Sequence, residues 1–261
     1  MPLPVFITAA NNALVKSLTK LVQDPAAYRK QGQVWLEGDH LCSAALARGL
    51  HARCAVFSSS MWQQGVDAAW YAGADKVAVV ADAVLAKISP LPSPSSMGFV
   101  VDCAALLHEP EALDPQANTV VLDRIQDAGN VGSILRSASA LGFGQVLALK
   151  GTAALWSHKV LRAGMGAHFG LRLFEGLAAD ALHRLQVPLL VTHLQGQQLL
   201  HQAVLPNPCA WVLGHEGQGV QAAITQRAHL LVRIAQPGGE ESLNVAAAAA
   251  ICLHASGAAR S

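Results

Sequence analysis

Apolar and polar residues alternate along this chain in two rhythms. Between Asn11 and Gln23, Leu14, Val15, Leu18, Leu21 and Val22 recur at helical spacing, with Lys16 and Lys20 one turn apart on the opposite face. That spacing predicts an amphipathic helix. A short strand over Gln33–Glu37 and a helix from about Asp39 to Arg48 follow it. Strands are expected at Ala52–Phe57, Lys76–Val80 and Gly98–Asp102, with helices around Met61–Tyr71 and Asp82–Lys87. The prolines of Ser89-Pro90-Leu91-Pro92-Ser93-Pro94 stand at alternate positions and favour extended coil.

The second half is more regular. Short apolar runs at Thr119–Leu122, Gln145–Leu149, Leu171–Phe174, Leu189–Thr192, Cys209–Leu213 and Leu230–Ile234 read as strands, with helical stretches between most of them. This alternation predicts an α/β fold with a mainly parallel sheet covered on both faces. Residues 104–117, where Pro110 and Pro115 sit among acidic and polar neighbours, are read as the linker between domains at 1–103 and 118–261.

Composition narrows the class. The 261 residues are 52% hydrophobic and 13% charged, yet no apolar run approaches the ~20 residues of a membrane span. The N-terminus lacks a basic stretch followed by an apolar core, so a secretory signal is not expected. Cys42, Cys54, Cys103, Cys209 and Cys252 are scattered without CxxC spacing, which predicts reduced thiols in a cytoplasmic protein and no structural metal. With a formal charge of +1, any nucleic-acid surface must be a local basic patch.

Three loops carry candidate chemistry, each at the end of a predicted strand. The first, Leu122 to Arg136, offers Asn130 as a helix N-cap and Arg136 one turn beyond Gly132, able to reach a phosphate or carboxylate. The second, Leu213-Gly214-His215-Glu216-Gly217-Gln218-Gly219-Val220, has three glycines that permit close backbone approach to a ligand. It matches neither GxGxxG nor a P-loop, so a nucleotide-dependent dehydrogenase lacks its fingerprint. The third runs from Val232 through Pro237, Gly238 and Gly239 to Ser242-Leu243-Asn244-Val245 and the alanines 246–250. There Ser242 or Asn244 caps a closely packing helix, and Glu240 and Glu241 favour its N-terminus. Singly, each loop reads equally as an ordinary turn or cap.

Together, the three resemble the motifs of the SpoU/TrmH branch of the SPOUT RNA methyltransferases: Asn130-x-Gly132-x-x-x-Arg136, Gly214-x-Glu216-Gly217-x-Gly219, and Gly239 through Ser242-Leu243-Asn244-Val245. Ser157 to Ala167 is similar to a further family segment. Asn11, Val15-Lys16, Leu18, Arg29-Lys30, Gly32 and Leu36-Glu37-Gly38 resemble its ribosomal-protein-L30e-like substrate-binding domain. The resemblance implies a SPOUT-type knotted parallel sheet with helices on both faces, preceded by a smaller L30e-like α/β domain.

It also implies S-adenosylmethionine-dependent methylation of an RNA ribose 2′-hydroxyl, with no metal, by a homodimer with its site at the subunit interface. Asn130, Arg136, Glu216, Ser242 and Asn244 are then the catalytic residues, and Leu213, Gly214, Gly219, Ile234 and Leu243 hold the cofactor. Lys16, Lys20, Arg29 and Lys30 are the candidate RNA contacts, with a solvated helix face as the plainer reading. The N-terminal extension points to ribosomal RNA over tRNA, since the tRNA enzymes of this branch often have only short extensions. The alternatives are the same chemistry on tRNA, or a non-catalytic RNA-binding or ribosome-assembly protein on the same fold. Against the family pattern, His215 stands for Asn, Ala235-Gln236 for Pro-Met, Gly164 for Ser and Ala246 for Ser.

Overall fold

A computed structural model describes residues 2–90, 93–196, 198–238 and 242–258. The chain divides into two compact units, one of residues 1–107 and 156–169 and the other of residues 108–155 and 170–261.

In the first unit, strand β1 (Pro4–Ile7) leads to helices α1 (Ala13–Gln23) and α2 (Ala27–Gln31), then β2 (Gln33–Glu37) and α3 (Asp39–Ala47). Strand β3 (Cys54–Ser58), α4 (Ser59–Gln63), β4 (Val77–Val80), α5 (Asp82–Leu85) and β5 (Met97–Asp102) follow. The sheet order is β1-β4-β3-β5-β2, with β1, β4 and β3 parallel and β5 antiparallel to both of its neighbours. Helix α1 forms where the spacing predicts: Asn12 caps it by accepting from the Leu14 N–H at 2.9 Å, and Val15, Leu18 and Leu21 are buried. The helix expected over Met61–Tyr71 is shorter and shifted. The chain leaves α4 at Gln63 and makes only a 3-10 turn at Ala68–Trp70, capped by Asp67. Strand β1 went unpredicted.

Residues 156–169 belong to this unit, although the sequence reading groups them with the second domain. Their packing explains why. The His158 Nε2 lies 2.6 Å from the Glu37 carboxylate at the end of β2, with both side chains buried. Burial pushes the Glu37 carboxyl up, but hydrogen bonds from His158 and Ser89 and the His158 charge outweigh it and hold the carboxyl below its ordinary value. Close by, Gly166 has φ +82°, and a Cβ there would come within 2.6 Å of the Ala44 side chain, so glycine is required.

The second unit holds β6 (Thr119–Asp123), α6 (Ala128–Ala140) and β7 (Gln145–Leu149). Helix α7 (His158–Gly164) lies in the excursion to the first unit, and β8 (Arg172–Leu177), β9 (Leu189–Thr192), β10 (Gln198–Leu199), β11 (Ala210–Gly214), α8 (Ala222–Thr225), β12 (Leu230–Arg233) and α9 (Val245–Ala258) follow. Among the described residues the sheet order is β10-β12-β9-β11-β6-β7-β8, with every pairing parallel. Strands β6 and β7 are buried along their whole length, which is why they read as unbroken apolar runs.

The crossovers position the site. The chain lays down β6, β7 and β8 in one direction, crosses to β9, and later returns to insert β11 between β9 and β6. The carboxyl ends of β6 and β11 therefore lie side by side, with Gly214 in register with Asp123. In open α/β sheets, a reversal of strand order of this kind opens a crevice at the carboxyl edge. Helix α9 closes one face through Ala249, Cys252, Leu253 and Ser256, a buried stripe at helical spacing. The buried Trp211 of β11 donates its indole N–H to Ser256 Oγ at 2.8 Å and joins strand to helix.

Candidate active site

The three loops singled out in the sequence meet at this carboxyl edge, and their side chains are bonded in series. After β6 the chain passes through residues 124–127 into α6. Asp127 caps that helix by accepting from the Asn130 N–H at 2.7 Å, so the cap is Asp127, where the sequence suggested Asn130. The reason is positional: Asn130 lies in the first turn, and its side chain is free to face the neighbouring loops. Its Nδ2 donates to Glu216 Oε1 at 3.1 Å, and its Oδ1 accepts from Asn244 Nδ2 at 2.9 Å. Glu216 also accepts from the backbone N–H groups of Gln126 and Asp127 at 3.4 and 3.3 Å. Asn244 in turn caps α9, its Oδ1 accepting from the N–H groups of Ala246 and Ala247.

Electrostatics favour an ionised Glu216. Partial burial pushes its carboxyl up, but the hydrogen bonds from backbone N–H groups and Asn130 outweigh that, and the net displacement is below the ordinary value of 4.5.

The loop after β11 turns sharply. A Cβ on Gly214 would sit 2.3 Å from both the Gly219 carbonyl carbon and the Val220 nitrogen, so only glycine fits. His215 closes the turn, its Nδ1 accepting from the Gly217 and Gln218 N–H groups at 3.0 and 3.2 Å. An asparagine oxygen fills the same acceptor role in turns, which accounts for the tolerated departure at this position.

Arg136 is exposed on α6 and makes no hydrogen bond or ion pair among the described residues; the same holds for Ser242. Gly132, one turn earlier, is buried. Of the candidate cofactor residues, Leu213 is buried, Gly214 and Gly219 flank the sharp turn, and Leu243 is 40% exposed between Ser242 and Asn244. Ile234 lines a separate apolar groove of about 620 Å³ with Leu141, Leu200, Ala235 and Ile251. Gly239, Glu240 and Glu241 lie outside the described residues.

In the first unit, Lys16 and Lys20 line an open concavity of about 420 Å³ together with Thr19 and Gln23. Arg29 and Lys30 are exposed on α2 and do not line it; the Arg29 guanidinium lies 5.4 Å from the Tyr28 ring centroid. Among the described residues there is no cluster of three or more metal-ligating side chains, and no helix is long and apolar enough to cross a membrane.

One feature of the edge escaped the sequence reading. Asp123, fully buried, and Arg124 bind the far side of the 214–221 segment. The only signal was a charged pair at the end of an apolar strand.

Residues 117–254 match the SpoU rRNA Methylase family, and residues 12–97 match the MRM3-like substrate binding domain. An uncharacterized tRNA/rRNA methyltransferase of Synechocystis is 32% identical over 95% of this chain and 92% of its own length. A 23S rRNA guanosine 2′-O-methyltransferase of Bacillus subtilis is 34% identical over 58% of this chain and 62% of its own length. The crystal structure of an AdoMet-bound rRNA methyltransferase from Sinorhizobium meliloti superposes with a TM-score of 0.85, at 26% identity, over 98% of this chain and 97% of that one.

Proposed function

The chain belongs to the SpoU rRNA methylase family, and from that membership and the site we infer that it transfers a methyl group from S-adenosylmethionine to a ribose 2′-hydroxyl of ribosomal RNA. One observation carries the reading at the level of residues. The Glu216–Asn130–Asn244 series ties three strand-end loops together, and Arg136, on the same helix as Asn130, makes no hydrogen bond or ion pair among the described residues. A protein that only bound RNA has little need of that arrangement.

S-adenosylmethionine, when bound, supplies a methyl group on a positively charged sulfonium. The residues present fit such a group. The turn from Gly214 to Gly219 folds tightly on its own backbone and carries no side chain at either end, and Leu243 is an exposed apolar side chain in a polar loop that a ligand would cover. Leu213, Gly214, Gly219, Ile234 and Leu243 would hold it.

The chain's own side chains then have the task of preparing the hydroxyl, because a neutral alcohol is a poor nucleophile. Arg136 remains a guanidinium cation in this role. It grips the adjacent phosphate and stabilises negative charge developing on the ribose oxygen, while the proton passes to phosphate or water. Asn130 and Asn244, held in fixed orientation, and the ionised Glu216 set the loop geometry around that oxygen. Ser242 supplies a further hydroxyl with no partner among the described residues. No step calls for a metal.

The finer features belong to the same reading. Lys16, Lys20, Arg29 and Lys30 supply phosphate contacts independent of sequence. The chain acts as a cytoplasmic homodimer with a knotted catalytic domain. The exposed Ile251 on α9 favours burial against a second copy. We place the L30e-like unit at 1–103, the linker at 104–117 and the catalytic domain at 118–261 apart from residues 156–169, which belong to the first unit.

The test is transfer of label from S-adenosylmethionine to purified ribosomal RNA and, separately, to tRNA, with the products hydrolysed in alkali. A 2′-O-methyl group blocks cleavage at its own linkage, so the label should emerge in alkali-resistant dinucleotides from ribosomal RNA. Label in mononucleotides would place the methyl on a base and overturn the ribose assignment.

A further inference from the structure

Arg124 is the least expected residue at the carboxyl edge. Its φ of +60° lies in the left-handed region, where non-glycine residues are uncommon and which a long side chain occupies only when the surroundings compel it. Its side chain shows what those surroundings are. The guanidinium Nε donates to the buried Asp123 carboxylate at 3.0 Å. Nη1 donates to the Gln218 side-chain oxygen at 2.8 Å, and Nη2 to the Gly219 carbonyl at 3.3 Å. Asp123 completes the grip by accepting from the Gln221 backbone and side-chain nitrogens at 2.7 and 2.6 Å. The last residue of β6 and the one after it thus hold residues 218–221.

On the other side of the same loop, Glu216 is held by Asn130 and by backbone N–H groups of residues 126 and 127. Without Arg124, the turn from Gly214 to Gly219 keeps its His215 closure and the Asp123–Gln221 bonds but loses the two bonds that hold Gln218 and the Gly219 carbonyl.

We propose that Arg124 is a positioning residue for the methyl donor. By clamping Gln218 and the Gly219 carbonyl to the end of β6, it fixes the 214–219 loop in the conformation that receives S-adenosylmethionine. The inference rests on the functional reading above. It adds a residue that lies outside all three motifs and acts through the 214–219 loop. Hydrogen bonds from a charged group, made where water is partly excluded, are strong enough for their loss to shift a loop's population.

The experiment titrates S-adenosylmethionine into the full-length wild type, Arg124→Gly, Gln218→Ala and the double variant by calorimetry, with melting temperatures recorded in parallel. Arg124→Gly suits the left-handed backbone and deletes the clamp. Gln218→Ala leaves the buried Asp123–Arg124 pair intact and removes one of its contacts. Arg124→Gly should weaken binding about tenfold and Gln218→Ala about threefold, the range expected for lost charge-assisted hydrogen bonds. The double variant should bind like Arg124→Gly, because both changes remove one shared interaction. In turnover the KM for S-adenosylmethionine should rise while kcat at saturation is kept. Wild-type affinity in both single variants would overturn the inference. So would a loss confined to Arg124→Gly that follows its melting temperature, which is the mark of a merely structural role. Absence of binding by the wild type would instead fell the functional reading, and this inference with it.

Discussion

Asn244 donates its amide nitrogen to the Asn130 carbonyl oxygen at 2.9 Å, across 114 residues of chain. Each side chain makes its second bond elsewhere, Asn130 to Glu216 and Asn244 to the first turn of α9. The orientation of the Asn130 amide is therefore fixed from both ends, and the start of α9 is tied to the start of α6.

That arrangement makes Asn130 sensitive to a nearly isosteric change. Asn130→Asp still accepts from Asn244 but presents a carboxylate to Glu216 in place of a donor. Like charges at hydrogen-bond distance repel, and one loop bond is lost. Methyl transfer at neutral pH should fall by at least about tenfold, equivalent to roughly 1.4 kcal/mol, and by more than in Asn130→Ala. Equal activity in the wild type and Asn130→Asp would show that the series has no part in the reaction.

Glu216 gives the site a pH dependence whose sign is fixed. Its carboxyl is held below the ordinary value in the folded chain by hydrogen bonds that favour the ionised form. A depressed carboxyl stabilises the fold above its unfolded-state value and loses that contribution as pH falls through its folded-state value. The stability difference between the wild type and Glu216→Gln should thus be present at neutral pH and close in acid, as pH falls below the ordinary glutamate range. Denaturant titrations at a series of pH values measure it. A difference that stays constant, or widens in acid, contradicts the assignment.

The Trp211–Ser256 bond is a test of the scaffold alone. Ser256→Ala leaves a fully buried indole N–H without an acceptor, at a cost of about 1–3 kcal/mol. Trp211→Phe in the same background removes the orphaned donor and should recover part of that loss. Chemical denaturation of the two variants decides it, and a neutral Ser256→Ala would mean that water replaces the hydroxyl.

The reading of the sequence succeeded where the physics is local. Continuous apolar runs revealed β6, β7 and β11 because both faces of a parallel sheet are buried, and α1 announced itself by its spacing and its Asn12 cap. Strand β1 was missed because it is four residues long and starts at Pro4, with Val5 and Phe6 exposed. Strand β10 has only two residues. The placement of residues 156–169 was not legible, since it depends on His158 finding Glu37, 121 residues away.

The site shows the same division. Its three loops were visible as strand ends rich in turn and capping residues, but the bonds joining Glu216, Asn130 and Asn244 are tertiary. The role of Asp127 was obscured by Asn130 three residues later, because aspartate and asparagine are equally good caps. Arg124 was invisible because a positive φ leaves no mark on an arginine in a sequence.

The most direct measurement compares the wild type with Arg136→Ala in methyl transfer to ribosomal RNA prepared from a strain lacking this gene. The product is digested to nucleosides, and cofactor binding is measured on both proteins. The wild type should carry label in a 2′-O-methylnucleoside. Arg136→Ala should lose at least about a hundredfold of that label, as for removal of a charge-stabilising donor, with S-adenosylmethionine still bound. Undiminished ribose methylation by Arg136→Ala, or label carried on a base, would contradict the proposed function.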